Sequence, residues 1–355
     1  MVEENKLAPT AEKPAGSWLR RAAMGLAVLL IVGAVGSALA ALWLYGEMQM
    51  PHQGFEGEKL LIIARGSSVE GIARQLQREG VVASAFLFRL HARLVDPGRP
   101  LQAGQYKFDS PISIAEAVEK LRSGDVFFHR VTVPEGLDRR EIAEVFVRAG
   151  FGTEEEWEEA TEDPTLIREL DPEAIDLEGY LFPETYFLTY QSRPEEIVEM
   201  MVGRFRRAWT SERRQRASEL GLSVRETVTL ASLIEKETGL RPERNLVSSV
   251  FHNRLRRGML LQCDPTVVYA VKQVQEFDGT IRRSHLQMDS PYNTYVHPGL
   301  PPGPIANPGE ASIEAALFPA ASDFLFFVSR NDGSHHFSVD YAAHSTAVRR
   351  YQRNR

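Results

Sequence analysis

The chain has 355 residues, 43% hydrophobic and 25% charged, which is an ordinary globular composition. Its net charge of −7 argues against a nucleic-acid partner, whose binders carry a basic footprint. Cys263 is the only cysteine, which excludes an intramolecular disulfide and a cysteine-rich metal site.

Residues 1–19 are polar and read as a short tail. Residues 22–46 then form 25 consecutive positions without a charged side chain. As a helix they reach roughly 37 Å, enough to cross a hydrocarbon core of about 30 Å with some tilt. Trp43 and Tyr45 stand near the far end, where amphipathic rings favour the membrane–water interface. A cleaved signal peptide is the alternative, with Ala38-Leu39-Ala40 as its processing site. Lys13, Arg20 and Arg21 precede the segment and Glu47 follows it, so the positive-inside rule keeps the N-terminus cytoplasmic. The expected topology is a tail over 1–21, one transmembrane helix over 22–46 and an exported body in a single-pass inner-membrane protein. Residues 1–21 hold four basic and three acidic side chains, so the body carries −8 and is not expected to adhere to an anionic membrane surface.

After a linker over residues 47–57, Lys59–Ile63 reads as a strand. Ser67-Ser68 then signals a helix start, with Ile72, Leu76 and Val81 at helical spacing. A second helix is expected over 85–94, a strand over 104–108 and a helix over 113–121. The layout recurs: strand 127–133, a Pro134-Glu135-Gly136 turn, helix 139–147. Residues 195–220 read as one long helix, in which the basic run from Arg204 to Arg216 forms a solvated face. Two further helices follow over 225–238 and 243–257, separated by Gly239 to Pro242. Beyond Thr280 the chain is rich in proline and glycine, and it closes with a strand over 323–329 and a terminal helix.

Chemistry is sought first in the helix carrying Glu235-Lys236-Glu237. Leu230, Leu233 and Ile234 form an apolar stripe, and Glu235 borders it. A carboxyl beside an apolar surface is partly desolvated, which raises its pKa and suits it to general-acid work. Glu237 lies about 200° further round, so the two carboxylates do not share a face. Leu177 to Tyr186 contributes Glu178 and Glu184 among aromatics. Leu261 to Tyr269 places Asp264 before a proline, a natural helix start. Ser290 to Tyr295 and Gly299 to Gly309 add a proline-bearing, aromatic loop region. No His-Glu-x-x-His, phosphate loop or Gly-x-Ser-x-Gly elbow occurs, so neither a metal nor a nucleotide cofactor is expected.

Six stretches together resemble the YceG/MltG family of endolytic murein transglycosylases. They are Glu178-Gly-Tyr-Leu-Phe-Pro-Glu-Thr-Tyr186, Ala231-Ser-Leu-Ile-Glu-Lys-Glu-Thr238, Val250-Phe-His-Asn-Arg-Leu255, Gln262-Cys-Asp-Pro-Thr266, Tyr292-Asn-Thr-Tyr295 and Gly299-Leu-Pro-Pro-Gly303. Their order matches too, and the resemblance covers roughly residues 20–350. Cys263 stands where the family more often has Ser or Thr, and His344-Ser345 replaces its His-Asn.

The resemblance implies an α+β protein: a single N-terminal transmembrane helix, a LysM-like subdomain over 47–130 and a mixed α/β catalytic domain over 131–350. It implies a lyase acting on peptidoglycan, cutting the β-1,4 bond between N-acetylmuramic acid and N-acetylglucosamine to leave 1,6-anhydro ends. Acting on nascent strands beside peptidoglycan synthases, such an enzyme limits strand length. Its catalytic glutamate is carried over to Glu235. Glu178, Gln262, Asp264, Asn293 and Tyr295 are the candidates for substrate binding or for tuning that carboxyl. Two alternatives stay open: a non-catalytic cell-wall-binding protein, and a hydrolase using two carboxylates such as Glu235 and Glu178.

Overall fold

The computed structural model describes residues 17–353, and the chain divides into two compact units, Met1–Phe127 and Phe128–Arg355. Most of the expected tail lies outside the described residues.

The first unit begins with α1 (Ser17–Gln49), a 33-residue helix of about 50 Å. It is the one helix among the described residues long and apolar enough to cross a membrane. The expected linker is only partly present. The helix runs to Gln49, and Met48 in its last turn is buried in the core of the unit. His52 then pairs with Ile112 through two backbone hydrogen bonds of 3.0 and 3.1 Å. The rest is β1 (Lys59–Ile63), α2 (Val69–Arg78), α3 (Ala85–Leu94), β2 (Gly104–Phe108) and α4 (Ile114–Ser123). β1 and β2 are antiparallel, with Leu61 opposite Tyr106. Ser68, Ser84 and Ser113 cap the three short helices, and Ser113 forms a reciprocal box with Glu116. Leu76, Phe88, Tyr106 and Leu121 fill the core between sheet and helices.

The second unit opens with the same order: β3 (His129–Thr132), α5 (Arg139–Arg148), α6 (Glu154–Glu162) and β4 (Thr185–Leu188), with β3 and β4 antiparallel. Asp138 and Thr153 cap the two helices, each boxed with a glutamate at N3. The expected long helix is two, α7 (Pro194–Ala208) and α8 (Ser211–Leu220). Trp209 turns inward at the break to stack on Phe205, and Thr210 caps α8. The basic run is not a bare solvated face: Arg204 pairs with Glu184, Arg206 with Glu169, and Arg213 with Glu310 and Glu314.

α9 (Val224–Glu237) is the central helix, buried without interruption from Thr227 to Ile234. Around it pack α8, α10 (Arg244–Arg256), α11 (Asp264–Lys272) and, after the short α12 (Arg283–Leu286), α13 (Glu310–Leu317). The chain ends in the hairpin β5 (Phe326–Ser329) and β6 (His335–Ser338), covered by α14 (Tyr341–Val348).

Candidate active site

The C-terminal end of α9 opens on a cleft of about 280 Å³, lined by Glu237, Gln262, Asp264, Tyr295, Tyr341 and His344. Glu237 is the last residue of the helix, and Thr238 leaves it in an extended conformation. Burial pushes the Glu237 carboxyl up to about 7, against the lowering effect of a hydrogen bond from the Cys263 thiol. Nearby Asp264 pushes the same way as burial. The unpaired carbonyls at a helix C-terminus also disfavour an anion there. Glu237 is therefore a carboxyl that exchanges its proton near neutrality, the property required of a group that acts first as acid and then as base. The Cys263 thiol is itself buried and pushed far up, so it acts as a donor to Glu237 and not as a nucleophile.

The opposite rim is built by α11. Asp264 sits in its first turn and accepts a 2.5 Å hydrogen bond from the Tyr295 hydroxyl. Burial and that bond keep the phenol protonated. Gln262 has φ +49°, an uncommon backbone for a residue with a side chain. Two hydrogen bonds hold this turn, Gln262 N–H to Thr294 O at 3.1 Å and Cys263 N–H to Thr294 Oγ1 at 3.0 Å. Local strain kept in place by its surroundings is common at functional sites.

Arg254 braces the cleft from below. Its Nε donates to Leu325 O at 2.7 Å and its Nη1 to Leu261 O at 2.6 Å, while its guanidinium lies under the Phe326 ring. One buried side chain thus ties the loop carrying Gln262 to the segment that leads into the terminal hairpin.

Three of the predicted site residues lie elsewhere or do other work. Glu235, the expected acid, has both carboxyl oxygens occupied. Arg244 Nη2 donates to Oε1 at 2.7 Å and the Gly309 N–H to Oε2 at 3.0 Å. Its side chain is 6% exposed and that of Arg244 5%. A carboxyl paired this way is committed to holding α10 and the approach to α13 against α9. Asn293 is fully buried and shapes its own loop: Nδ2 donates to the carbonyls of His285, Leu286 and Met288, and Oδ1 accepts from Tyr295 N–H. Its contribution to the cleft is the placement of Tyr295.

Glu178 is buried beside a separate cavity of about 590 Å³ that Tyr269 and Lys272 also line. It accepts from Asn307 Nδ2 at 2.9 Å and from Arg139 N–H at 3.1 Å. Asn307 in turn reaches Leu137 O and Leu181 N–H, so this pair knits three distant stretches together. Gly179 makes the turn possible. Its φ is +85°, and a Cβ there would strike Pro304.

Burial pushes Glu178 up to about 8 and Glu237 to about 7, both from 4.5. A carboxyl whose pKa is higher folded than unfolded contributes stability that is complete below the unfolded value and is lost as pH rises through the folded one. The melting temperature of the full chain in detergent is therefore expected to fall between about pH 5 and pH 8.5. Glu178→Gln, with a permanently neutral amide, is expected to flatten the decline. A wild-type melting temperature that holds constant over that range overturns the expectation.

The cleft also holds Tyr341, which no sequence motif singles out, and Glu237, which the sequence sets beside Glu235 without a role. Among the described residues, no group of three or more His, Cys, Asp or Glu side chains is placed to hold a metal ion.

The YceG-like family model matches residues 61–350. An endolytic murein transglycosylase of Bacillus subtilis is 33% identical over 305 residues, 81% of this chain and 83% of that one. The Streptococcus pneumoniae protein of the same name is 29% identical over 295 residues, and the match spans about half its length (53%) and 75% of this chain. The crystal structure of a yceG-like protein from Listeria monocytogenes superposes with a TM-score of 0.57 at 30% identity, covering 82% of this chain and 99% of that one.

Proposed function

The chain belongs to the YceG-like family, and from that premise we propose that it is an endolytic murein transglycosylase whose acid–base group is Glu237. The observation that carries the residue assignment is the position of Glu237. It is the carboxyl with a raised pKa in the cleft that also gathers Gln262, Asp264 and Tyr295. Glu235, by contrast, is spent on Arg244 and Gly309.

In this reading the protonated Glu237 carboxyl gives its proton to the glycosidic oxygen between N-acetylmuramic acid and N-acetylglucosamine. The C1–O bond breaks as an oxocarbenium-like centre develops. The Glu237 carboxylate then takes the proton of the C6 hydroxyl, whose oxygen closes on C1. No water is consumed, and Glu237 ends protonated as it began. Asp264, held by the Tyr295 hydroxyl, lies in the same cleft and favours a positively charged centre there. Gln262 presents an amide to a sugar hydroxyl or acetamido group.

The products of purified enzyme acting on glycan strands test the reaction. Mass spectrometry is expected to find anhydro ends, one water lighter than reducing ends. Reducing ends instead identify a two-carboxylate hydrolase, with Asp264 as the partner of Glu237. Binding without cleavage identifies a cell-wall-binding protein.

We further read α1 as a single-pass anchor in the cytoplasmic membrane, with the N-terminus inside and both units outside, where nascent strands leave their synthases. The strand–helix–helix–strand order of the first unit supports a LysM-like, glycan-binding role for it. A protein lacking residues 1–46 is then expected to keep its chemistry in vitro and to lose its preference for nascent strands in cells. Retained preference reduces the helix to an export signal.

A further inference from the structure

The wall of the cleft opposite Gln262 comes from the C-terminal helix, and no step of the reaction above uses it. Tyr341 is the first residue of α14 and is 71% exposed although it lines the cleft. His344, one turn on, lines the same cleft and stacks on Phe326 with ring centroids 5.0 Å apart at 23°. The Tyr341 ring meets Phe326 at 6.1 Å and 64° and His344 at 6.3 Å and 46°, so the three rings cluster on this wall.

This surface is held in place. The Asp340 side chain caps α14 through the Ala343 N–H at 2.8 Å, which fixes the helix start on which Tyr341 sits. Arg254 lies beneath Phe326 and, through Leu261 O, ties it to the turn carrying Gln262. Packing through Arg254 thus links the aromatic wall of the cleft to its polar one.

His344 also carries uncommitted hydrogen-bonding capacity. Its Nδ1 is buried with no hydrogen-bond partner among the described residues, so the edge of the ring left for the cleft is the Nε2 edge. Burial, with help from the Arg254 charge, lowers its pKa, so the ring is neutral at neutral pH. With no group among the described residues fixing the tautomer, Nε2 serves as donor or acceptor according to what it meets.

We infer that Phe326, Tyr341 and His344 form a saccharide subsite of this cleft, Tyr341 stacking on the apolar face of a pyranose ring and His344 Nε2 hydrogen-bonding one of its hydroxyl or acetamido groups. The inference rests on the glycan-cleaving reading of the cleft. It follows from chemistry: an open aromatic face and an unbonded imidazole, facing carboxyl and amide groups across a space of sugar size, match a ring that is apolar on one face and polar at its edge.

The test uses the full chain in detergent and glycan strands freed of stem peptides, so that only sugar contacts are read. Tyr341→Ala is expected to raise KM roughly three- to tenfold with kcat within about twofold. Tyr341→Phe, which keeps the ring, is expected to restore the wild-type KM. His344→Phe, which keeps the stack on Phe326 and removes the nitrogens, is expected to raise KM roughly two- to tenfold. Thermal melts check that each variant is folded, and Tyr341 is exposed enough to change without unfolding the unit. Wild-type KM in both Tyr341→Ala and His344→Phe overturns the subsite while leaving the reaction intact. If the wild-type protein cleaves nothing, the glycan-cleaving reading fails. Equilibrium binding of the same strands to wild type and Tyr341→Ala then decides the wall separately, equal affinity overturning it.

Discussion

Glu237→Gln is expected to lower the release of anhydro-ended fragments by about 10²- to 10⁴-fold, the usual contribution of general acid–base catalysis, with the fold unchanged. The substitution keeps shape and removes only the titratable proton. It also suits the site: burial already holds the carboxyl up to about 7, so an amide at the end of α9 introduces no new charge imbalance, and its oxygen accepts from the Cys263 thiol as the carboxyl does. The pH profile supplies the sign. The reaction begins with the protonated form, which is abundant below its pKa, so kcat/KM of the wild type falls as pH rises through about 7. A folded Glu237→Gln protein with wild-type turnover, or a wild-type profile flat from about pH 5 to pH 9, removes Glu237 from the role.

On the proposed assignment, the sequence pattern itself carries Glu237. Leu230, Leu233 and Ile234 are followed on the same face by position 237, at i+7, i+4 and i+3, whereas Glu235 falls off that stripe. The stripe alone does not single out one carboxyl, because α9 is buried on all sides through Ile234 and its apolar residues do not mark one inward face. What commits Glu235 lies in another helix: Arg244 stands beyond the 3-10 turn at Arg241–Glu243, and Gly309 is 74 residues away. Local signals were legible. Ser68, Ser113 and Ser223 announce their helices because a cap and its N3 partner lie within four residues. Pairings across distance were not. β4 follows the Phe-Pro-Glu turn and finds β3 some fifty residues back, and the polar appearance of Asn293 hid three carbonyl partners inside its own loop. Tyr341 escaped notice because a single aromatic residue in a terminal helix says nothing of the cleft until the chain is folded.

Arg244→Met is expected to have the largest effect on stability. Arg244 and Glu235 are 5% and 6% exposed, and their 2.7 Å ion pair joins the start of α10 to the end of α9 beside the apolar packing of the two helices. Arg244 Nη2 also reaches Glu135 at 3.2 Å, while Nε and Nη1 are buried with no partner among the described residues. Such a pair is not strongly stabilising in itself, because desolvating two charges offsets much of their attraction. Breaking it is another matter: among the described residues, removal of the cation leaves buried Glu235 with the Gly309 N–H alone. That is expected to destabilise the unit by about 3–5 kcal/mol, or roughly 6–20 °C in melting temperature. Glu235→Gln leaves Arg244 with the half-exposed Glu135, so the loss is expected to be smaller. Joining the two substitutions removes both charges and is expected to recover part of the Arg244→Met deficit, a coupling that a double-mutant cycle measures. The same variants separate the two glutamates: Glu235→Gln is expected to melt lower and still cleave glycan when folded, and Glu237→Gln to melt no lower than wild type and not cleave. The reverse outcome returns the catalytic role to Glu235, and an Arg244→Met protein that melts like wild type removes the ion pair from the account of this fold.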